Sequence, residues 1–273
     1  MSPPLDSFDV SSVLAETLEL LTVRPAAGDT WIGEAPDWFG DYLFGGFVIA
    51  QAIVAATRNP PEGRRLHSLH AYFLRPVVSS YAISYDVQPI RDGRTFNTRR
   101  VRAEQNSKAV LDMSCSFTAD SDGYVYDLPA RSAAPPPDAV AVEAGPGPWV
   151  AAYLGPTPPA PDGTRESTHR MWFRVPAELP DDQHVHTALL GFATDWTGIG
   201  GRPLHLDGDT QGMVSLDHAA WFHRPARADD WLFYDVHSLV NAGGRGLLRG
   251  DILDRDGRVV ISVAQEIRLT PVE

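Results

Sequence analysis

Residues 66–87, LHSLHAYFLRPVVSSYAISYDV, recur without a gap 149 positions later as SLDHAAWFHRPARADDWLFYDV, residues 215–236. Ala71, Phe73, Arg75, Pro76, Tyr85, Asp86 and Val87 return as Ala220, Phe222, Arg224, Pro225, Tyr234, Asp235 and Val236. A chain that carries one unit twice is constrained to build two like units and to pack them together. At 273 residues there is room for two, each of roughly a hundred residues. Positions where the copies differ in polarity are where chemistry is to be sought.

With 43% hydrophobic and 21% charged residues the composition is that of a packed globular protein. A net charge of −12, without any Lys/Arg run, argues against nucleic-acid and anionic-membrane partners, which need counterion-releasing basic contacts. No apolar run approaches the roughly eighteen residues of a membrane span, so stable membrane insertion is not expected. MSPPLDSFDV lacks the basic and apolar regions of a signal peptide, and TPVE is not a peroxisomal address, so the cytoplasm is the expected location. The single cysteine, Cys115, excludes an intrachain disulfide and cysteine-based zinc clusters, and the nine histidines show no HExxH spacing. Neither metal nor cofactor is expected.

Val13, Leu14, Leu18 and Leu21 fall at helical spacing and predict an amphipathic helix over 9–22. Residues 44–57, FGGFVIAQAIVAAT, are apolar almost all round with Gln51 as the only internal polar residue, the mark of a helix buried on most sides. Alternating patterns then predict strands at 66–74, 81–90, 96–105 and 109–118, with turns at Arg91-Asp92-Gly93 and Asn106-Ser107. Residues 129–161 hold ten of the 23 prolines and cannot supply central strands. Strands are expected again near 168–176, 213–223, 230–239, 245–254 and 258–269. The division is therefore an N-terminal unit over 1–128, a Pro-rich linker over 129–167, and a C-terminal unit over 168–273.

The motifs LFGGFVIAQAIVAA, LHSLHAYFLRP, YDVQPIRDGRTFNTRRVRAEQ, PDDQHVHTALLGFATDW, SLDHAAWFHRP and RDGRVVISVAQE occur in order and cover most of the chain outside the linker. Together they resemble the type II acyl-CoA thioesterases, the TesB-like family. That resemblance implies an α+β double hot-dog: two antiparallel sheets, each wrapped round a central helix and joined by the Pro-rich linker. In this family an Asp early in the second half, a Thr or Ser on the next strand and a Gln on the last strand hold the hydrolytic water; Asp195, Ser215 and Gln265 occupy those positions. Phe47 departs from the Gln common after FGG, which bears on substrate choice, and Ser215 keeps the hydroxyl of the commoner Thr. The hot-dog fold also hosts dehydratases and non-catalytic members, so the fold alone does not fix the chemistry.

The residues support the same trio without the family. The 149-residue offset sets Asp195 opposite Gly46 and Ser215 opposite Leu66. With one inserted residue, Leu111, Met113, Cys115 and Phe117 align with Ile261, Val263, Gln265 and Ile267, so Gln265 replaces a cysteine in an apolar row that faces the core. A buried amide without a partner costs about 1–3 kcal/mol, and Asp195 and Ser215 are its natural partners, although a lone core Gln more often bonds to nearby backbone. Asp195 would accept a proton from water, provided burial raises its carboxyl. N–H groups near Gly45 and Gly46, at the start of the buried helix, would receive the oxyanion. With Phe47 they form the expected substrate-binding set.

Ser215 as a covalent nucleophile lacks a GxSxG elbow, and His218, three residues along a strand, should face the other side. Asp217 reads as a structural hydrogen-bonding residue. His67, His70, His218 and His223 read as satisfied sheet histidines, Cys115 as a buried hydrophobe, and the glycines of NAGGRGLLRG as a sheet bend or bulge. Arg91, Arg94, Arg99, Arg100 and Arg102 read as a solvated sheet face, with CoA phosphates as the competing partner.

The leading expectation is an acyl-CoA hydrolase with acyl-CoA as its substrate partner. A non-hydrolytic acyl-CoA or acyl-carrier binding protein, and a hot-dog hydratase or dehydratase using His218 beside Asp217, are the alternatives. A double unit is internally complete as a pseudo-dimer, but its sheet edges can pair further into a homodimer or higher homo-oligomer.

Overall fold

The structure is a computed structural model and describes residues 10–35, 40–58, 63–79, 81–121, 123–127, 143–144, 147–154, 168–196 and 211–270. The first half contains α1 (Val10–Leu21), β1 (Arg24–Pro25), β2 (Thr30–Gly33), α2 (Gly45–Ala56), β3 (Arg65–Phe73), β4 (Ile83–Asp92), β5 (Phe96–Gln105) and β6 (Lys108–Thr118). There follow β7 (Glu143–Ala144), β8 (Val150–Leu154), β9 (Thr168–Arg174), α3 (Gln183–Thr194), β10 (Gln211–Ser215), β11 (Asp217–Phe222), β12 (Leu232–Ala242), β13 (Arg245–Leu253) and β14 (Val259–Thr270). The expected helices form as α1 and α2 and the expected strands as β3–β6 and β9–β14.

Where two separate sheets were expected, the strands make one antiparallel sheet in the order β1-β2-β4-β5-β6-β3-β11-β14-β13-β12-β9-β8-β7, with β10 also paired to β14. The join is the repeat itself. β3 and β11 pair with His70 opposite Ala219 and Ala71 opposite His218. Positions 70 and 219 are equivalent at the 149-residue offset, so a local two-fold axis passes between them. Each copy thereby covers the strand edge that the other would leave unpaired.

The second alignment is also visible in the register. Leu66 pairs with Phe117 and Leu69 with Cys115 in the first half, and Ser215 pairs with Ile267 in the second. The chain slips register at His67, between Leu66 and Ser68, and its counterpart Leu216 is the residue at which β10 breaks from β11.

α2 and α3 pack side by side. Ten residues of α2 are buried, as its near-continuous apolar sequence requires. The second central helix implied by the resemblance forms as α3, although its half-polar residues marked out no range for it; Asp182 starts it by accepting the N–H of His184 at 2.9 Å. A Cβ at Gly191 would lie 2.3 Å from Ile53 Cδ1, so the two helices approach this closely because residue 191 has no side chain. Trp149, from the Pro-rich segment, stacks on Phe192 with ring centroids 6.2 Å apart. The segment also adds β8 to the sheet outside β9, away from its centre.

Candidate active site

α3 ends at Asp195, its C-cap residue, and the carboxylate is buried beside the first turn of α2. α2 has Phe44 as N-cap and no capping side chain of its own. The N–H of Gly46 donates instead to the Asp195 carboxylate, so one residue closes α3 and caps α2 of the other half. Both glycines of the FGG motif are needed for this approach. A Cβ at Gly45 would lie 2.8 Å from Asp195 Oδ2, and one at Gly46 would lie 2.3 Å from the Phe192 carbonyl oxygen.

Gln265 reaches the same point from β14. Its Nε2 donates to Asp195 Oδ1 at 2.7 Å and to Ser215 Oγ at 2.7 Å. The Ser215 hydroxyl also hydrogen-bonds the carboxylate. The three residues expected from sequence therefore converge. Loss of water around Asp195 outweighs these three hydrogen bonds and pushes its carboxyl up to about 7. A carboxylate that titrates near neutrality exchanges protons readily with a bound reactant.

Three expectations around the trio need correction. Asp195 is not the counterpart of Gly46: the helices correspond at an offset of 138 and the strands at 149, so the counterpart is Thr57, the C-cap of α2. Gly46 is the residue Asp195 touches. The Gly46 N–H, expected to meet an oxyanion, is directed at the carboxylate. Phe47, expected in a substrate channel, is fully buried and sits edge-on to Phe192 at 6.3 Å between centroids.

His218 was expected to face away from Ser215. The break at Leu216 reverses the alternation, and the His218 ring is buried inside, with Nε2 2.9 Å from Thr194 Oγ1. Burial pushes it down to about 4, so the ring is neutral near pH 7. Asp217 accepts the N–H of Glu266 at 2.7 Å, the structural bond expected of it, and bridges the gap that the break leaves in the ladder.

Elsewhere the plain readings hold. His67 and His223 bond to Ser116 and Ser262, and burial pushes the Cys115 thiol up to about 12. Gly243 and Gly244, both with positive φ, make the tight turn between β12 and β13, where a bend or bulge was expected. Arg91, Arg94, Arg100 and Arg102 are exposed, with Arg100 paired to Asp112 and Arg102 to Glu104, whereas Arg99 is buried and bonds to Asp92 at 2.7 Å. A cleft of about 1000 Å³, lined by Arg174, Glu178, Asp181, Arg227 and Asp229, lies at the start of α3, the opposite end from Asp195.

Known proteins resemble this chain over most of its length. Residues 35–118 match the model of the acyl-CoA thioesterase N-terminal domain, and residues 127–269 match that of the C-terminal domain. Acyl-CoA thioesterase 2 of Haemophilus influenzae is 30% identical over 94% of this chain and 98% of its own. Human acyl-coenzyme A thioesterase 8 is 28% identical over 96% of this chain and 91% of its own. The crystal structure of an acyl-CoA thioesterase II from Mycobacterium marinum superposes with a TM-score of 0.82 at 32% identity, covering 94% of this chain and 98% of that one.

Proposed function

This chain belongs to the acyl-CoA thioesterase family, and from that premise we propose how it hydrolyses acyl-CoA to a fatty acid and CoA. Water attacks the thioester carbonyl carbon while one of its protons passes to the Asp195 carboxylate. The tetrahedral intermediate collapses, the carbon–sulfur bond breaks, and the proton held by Asp195 passes to the departing sulfur to give the CoA thiol. A thiolate is a good leaving group, so no stronger acid is needed. Proton transfer of this kind contributes about 10² to 10⁴ in rate.

The observation that carries this reading is the Gln265 amide bonded at once to Asp195 and Ser215. It gathers the two oxygens on one amide, and we assign the attacking water to their shared edge. Gly45, whose Cβ position lies against Asp195 Oδ2, is the start of α2 and the group we assign to the carbonyl oxygen, since Gly46 is committed to the carboxylate. Of the expected substrate-binding set, Gly45 is thus the residue assigned to the substrate, with Gly46 bonded to Asp195 and Phe47 buried against Phe192. No described helix is long and apolar enough to cross a membrane. From the sequence we propose the units 1–128 and 168–273 with 129–167 between them, a cytoplasmic location, and a homodimer or higher homo-oligomer as the assembly.

The test is release of free thiol from a panel of acyl-CoAs. Asp195→Asn should reduce the rate by at least about a hundredfold with the fold intact. Ser215→Ala should keep measurable turnover, because a hydroxyl that only orients water is not obligatory. Undiminished activity of Asp195→Asn would overturn the mechanism, and trapping an acyl group on Ser215 would replace it with a covalent one.

A further inference from the structure

The first half supplies an internal control for every position in the second. Leu69 stands opposite Cys115 in the first half, and their counterparts are His218 and Gln265. The register agrees, because Ala219 pairs with Ala264 and the next pair outward is His218 with Gln265. An apolar pair in one copy has become a polar pair in the other, beside the Ser215 that replaced Leu66. His218 is thus a third such exchange beside Ser215 and Gln265, and through Thr194 and Gln265 it joins one network with Asp195 and Ser215.

The hydrogen-bond directions in that network are constrained. Gln265 spends both amide protons, on Asp195 and Ser215, so its carbonyl Oε1 points the other way. Rotating the amide would press Oε1 against a carboxylate oxygen at 2.7 Å. Oε1 of Gln265 and Nδ1 of His218 are each buried with no hydrogen-bond partner at full bonding geometry, although the ring and the amide interact. Two acceptors cannot face each other in a dry site, whereas one proton on Nδ1 satisfies both. On the far side of the ring, Thr194 Oγ1 lies 2.9 Å from Nε2 and 2.7 Å from the Gly191 carbonyl oxygen. Its single proton can serve either acceptor, so the choice of tautomer is made at Gln265.

We infer that His218 is a positioning residue: held neutral with its proton on Nδ1, it donates to Gln265 Oε1 and fixes the amide with Nε2 toward Asp195 and Ser215. The direction of donation then runs from Thr194 through His218 and Gln265 to the carboxylate. The role assigned to His218 runs through Gln265 and not through the reacting atoms. It acts by denying Gln265 the flipped orientation, in which a carbonyl oxygen would displace the donor that orders Asp195 and Ser215. The inference rests on the role proposed above for those three residues.

Two measurements test it. In the wild-type protein labelled with ¹⁵N-histidine, two-bond proton–nitrogen correlation near pH 7 should show the His218 ring, identified by its absence from His218→Asn, protonated at Nδ1 and bare at Nε2. A ring protonated at Nε2, or at both nitrogens, overturns the inference without any appeal to activity. In kinetics, His218→Leu restores the residue of the first copy and should lower kcat about ten- to hundredfold with KM little changed. His218→Asn, whose amide nitrogen reaches the place of Nδ1 and donates there, should stay within about threefold of wild type. Equal losses in both variants, or no loss in His218→Leu, would overturn the positioning role. If Asp195→Asn kept full activity, the catalytic reading would fall while the Nδ1–H tautomer could still be observed, so the two failures are separable.

Discussion

The Asp195 carboxylate accepts the backbone N–H of Gly46, which joins the C-terminal end of α3 to the N-terminal end of α2. The contact crosses from one copy of the duplicated unit to the other, so neither copy could form the site alone. It also places the carboxylate between opposing helix ends. The start of α2 favours its charge and the end of α3 disfavours it. Burial decides the balance in favour of the neutral acid.

The rate should follow that balance. Water attack needs Asp195 ionised, and its carboxyl is raised to about 7. Then kcat should rise with pH through about 7 and level off above it, while His218, lowered to about 4, adds no step in this range. A pH profile of kcat on one saturating acyl-CoA checks this, and a flat profile from pH 5 to 8 would contradict it.

Stability should run the opposite way. The folded carboxyl holds its proton up to about 7 while the unfolded one loses it near 3.8, so between these values the folded state binds more protons and is progressively destabilised as pH rises. His218 adds the reverse slope in acid, because its unfolded ring takes up a proton below about 6.5 that the folded ring refuses down to about 4. Asp195→Asn removes only the first effect. At pH 8 it should unfold at higher denaturant than wild type, by about 1–4 kcal/mol, with the gain shrinking toward pH 5. Denaturant midpoints of the two proteins at both pH values decide it.

Gly46→Ala should harm both fold and chemistry. Its new methyl carbon would fall 2.3 Å from the Phe192 carbonyl and 3.0 Å from Asp195 Cβ, so the helix ends must separate. Overpacking of this kind costs about 1–3 kcal/mol. Separation also withdraws the N–H from Asp195, so its carboxyl should titrate still higher. The expected result is a lower melting temperature and a pH–rate profile displaced to higher pH. A profile unchanged in midpoint would show that this N–H does not set the carboxyl's acidity.

The duplication made much of the site legible because each half is a reference for the other. Ser215 against Leu66 and Gln265 against Cys115 are exchanges within strands, where a fixed offset survives because the ladder permits few insertions. Asp195 lies outside that frame. From helix end to the equivalent strand position the chain runs eleven residues further after α3 than after α2, the difference between offsets of 149 and 138, so the strand offset carried back to the helix names the wrong counterpart. α3 itself was unmarked because its His, Thr and Gln residues dilute the apolar pattern that announces α2. The facing of His218 was lost for a smaller reason: one residue out of register at Leu216 inverts a period-two pattern, and nothing in the local sequence signals the slip.

Phe47 is where the substrate preference should be adjustable. It lies two residues beyond Gly45 on the first turn of α2 and is fully buried against Phe192. Deleting the ring outright would cost about 3–5 kcal/mol, enough to confuse a change of preference with a loss of fold. Phe47→Leu is gentler, about 1–1.5 kcal/mol for a swap between apolar side chains, and leaves a smaller void. If the ring limits acyl length, kcat/KM for longer or branched acyl-CoAs should rise against short ones, and the pH–rate profile should stay in place because Asp195 keeps all its partners. A uniform fall across the acyl panel would make Phe47 a packing residue alone.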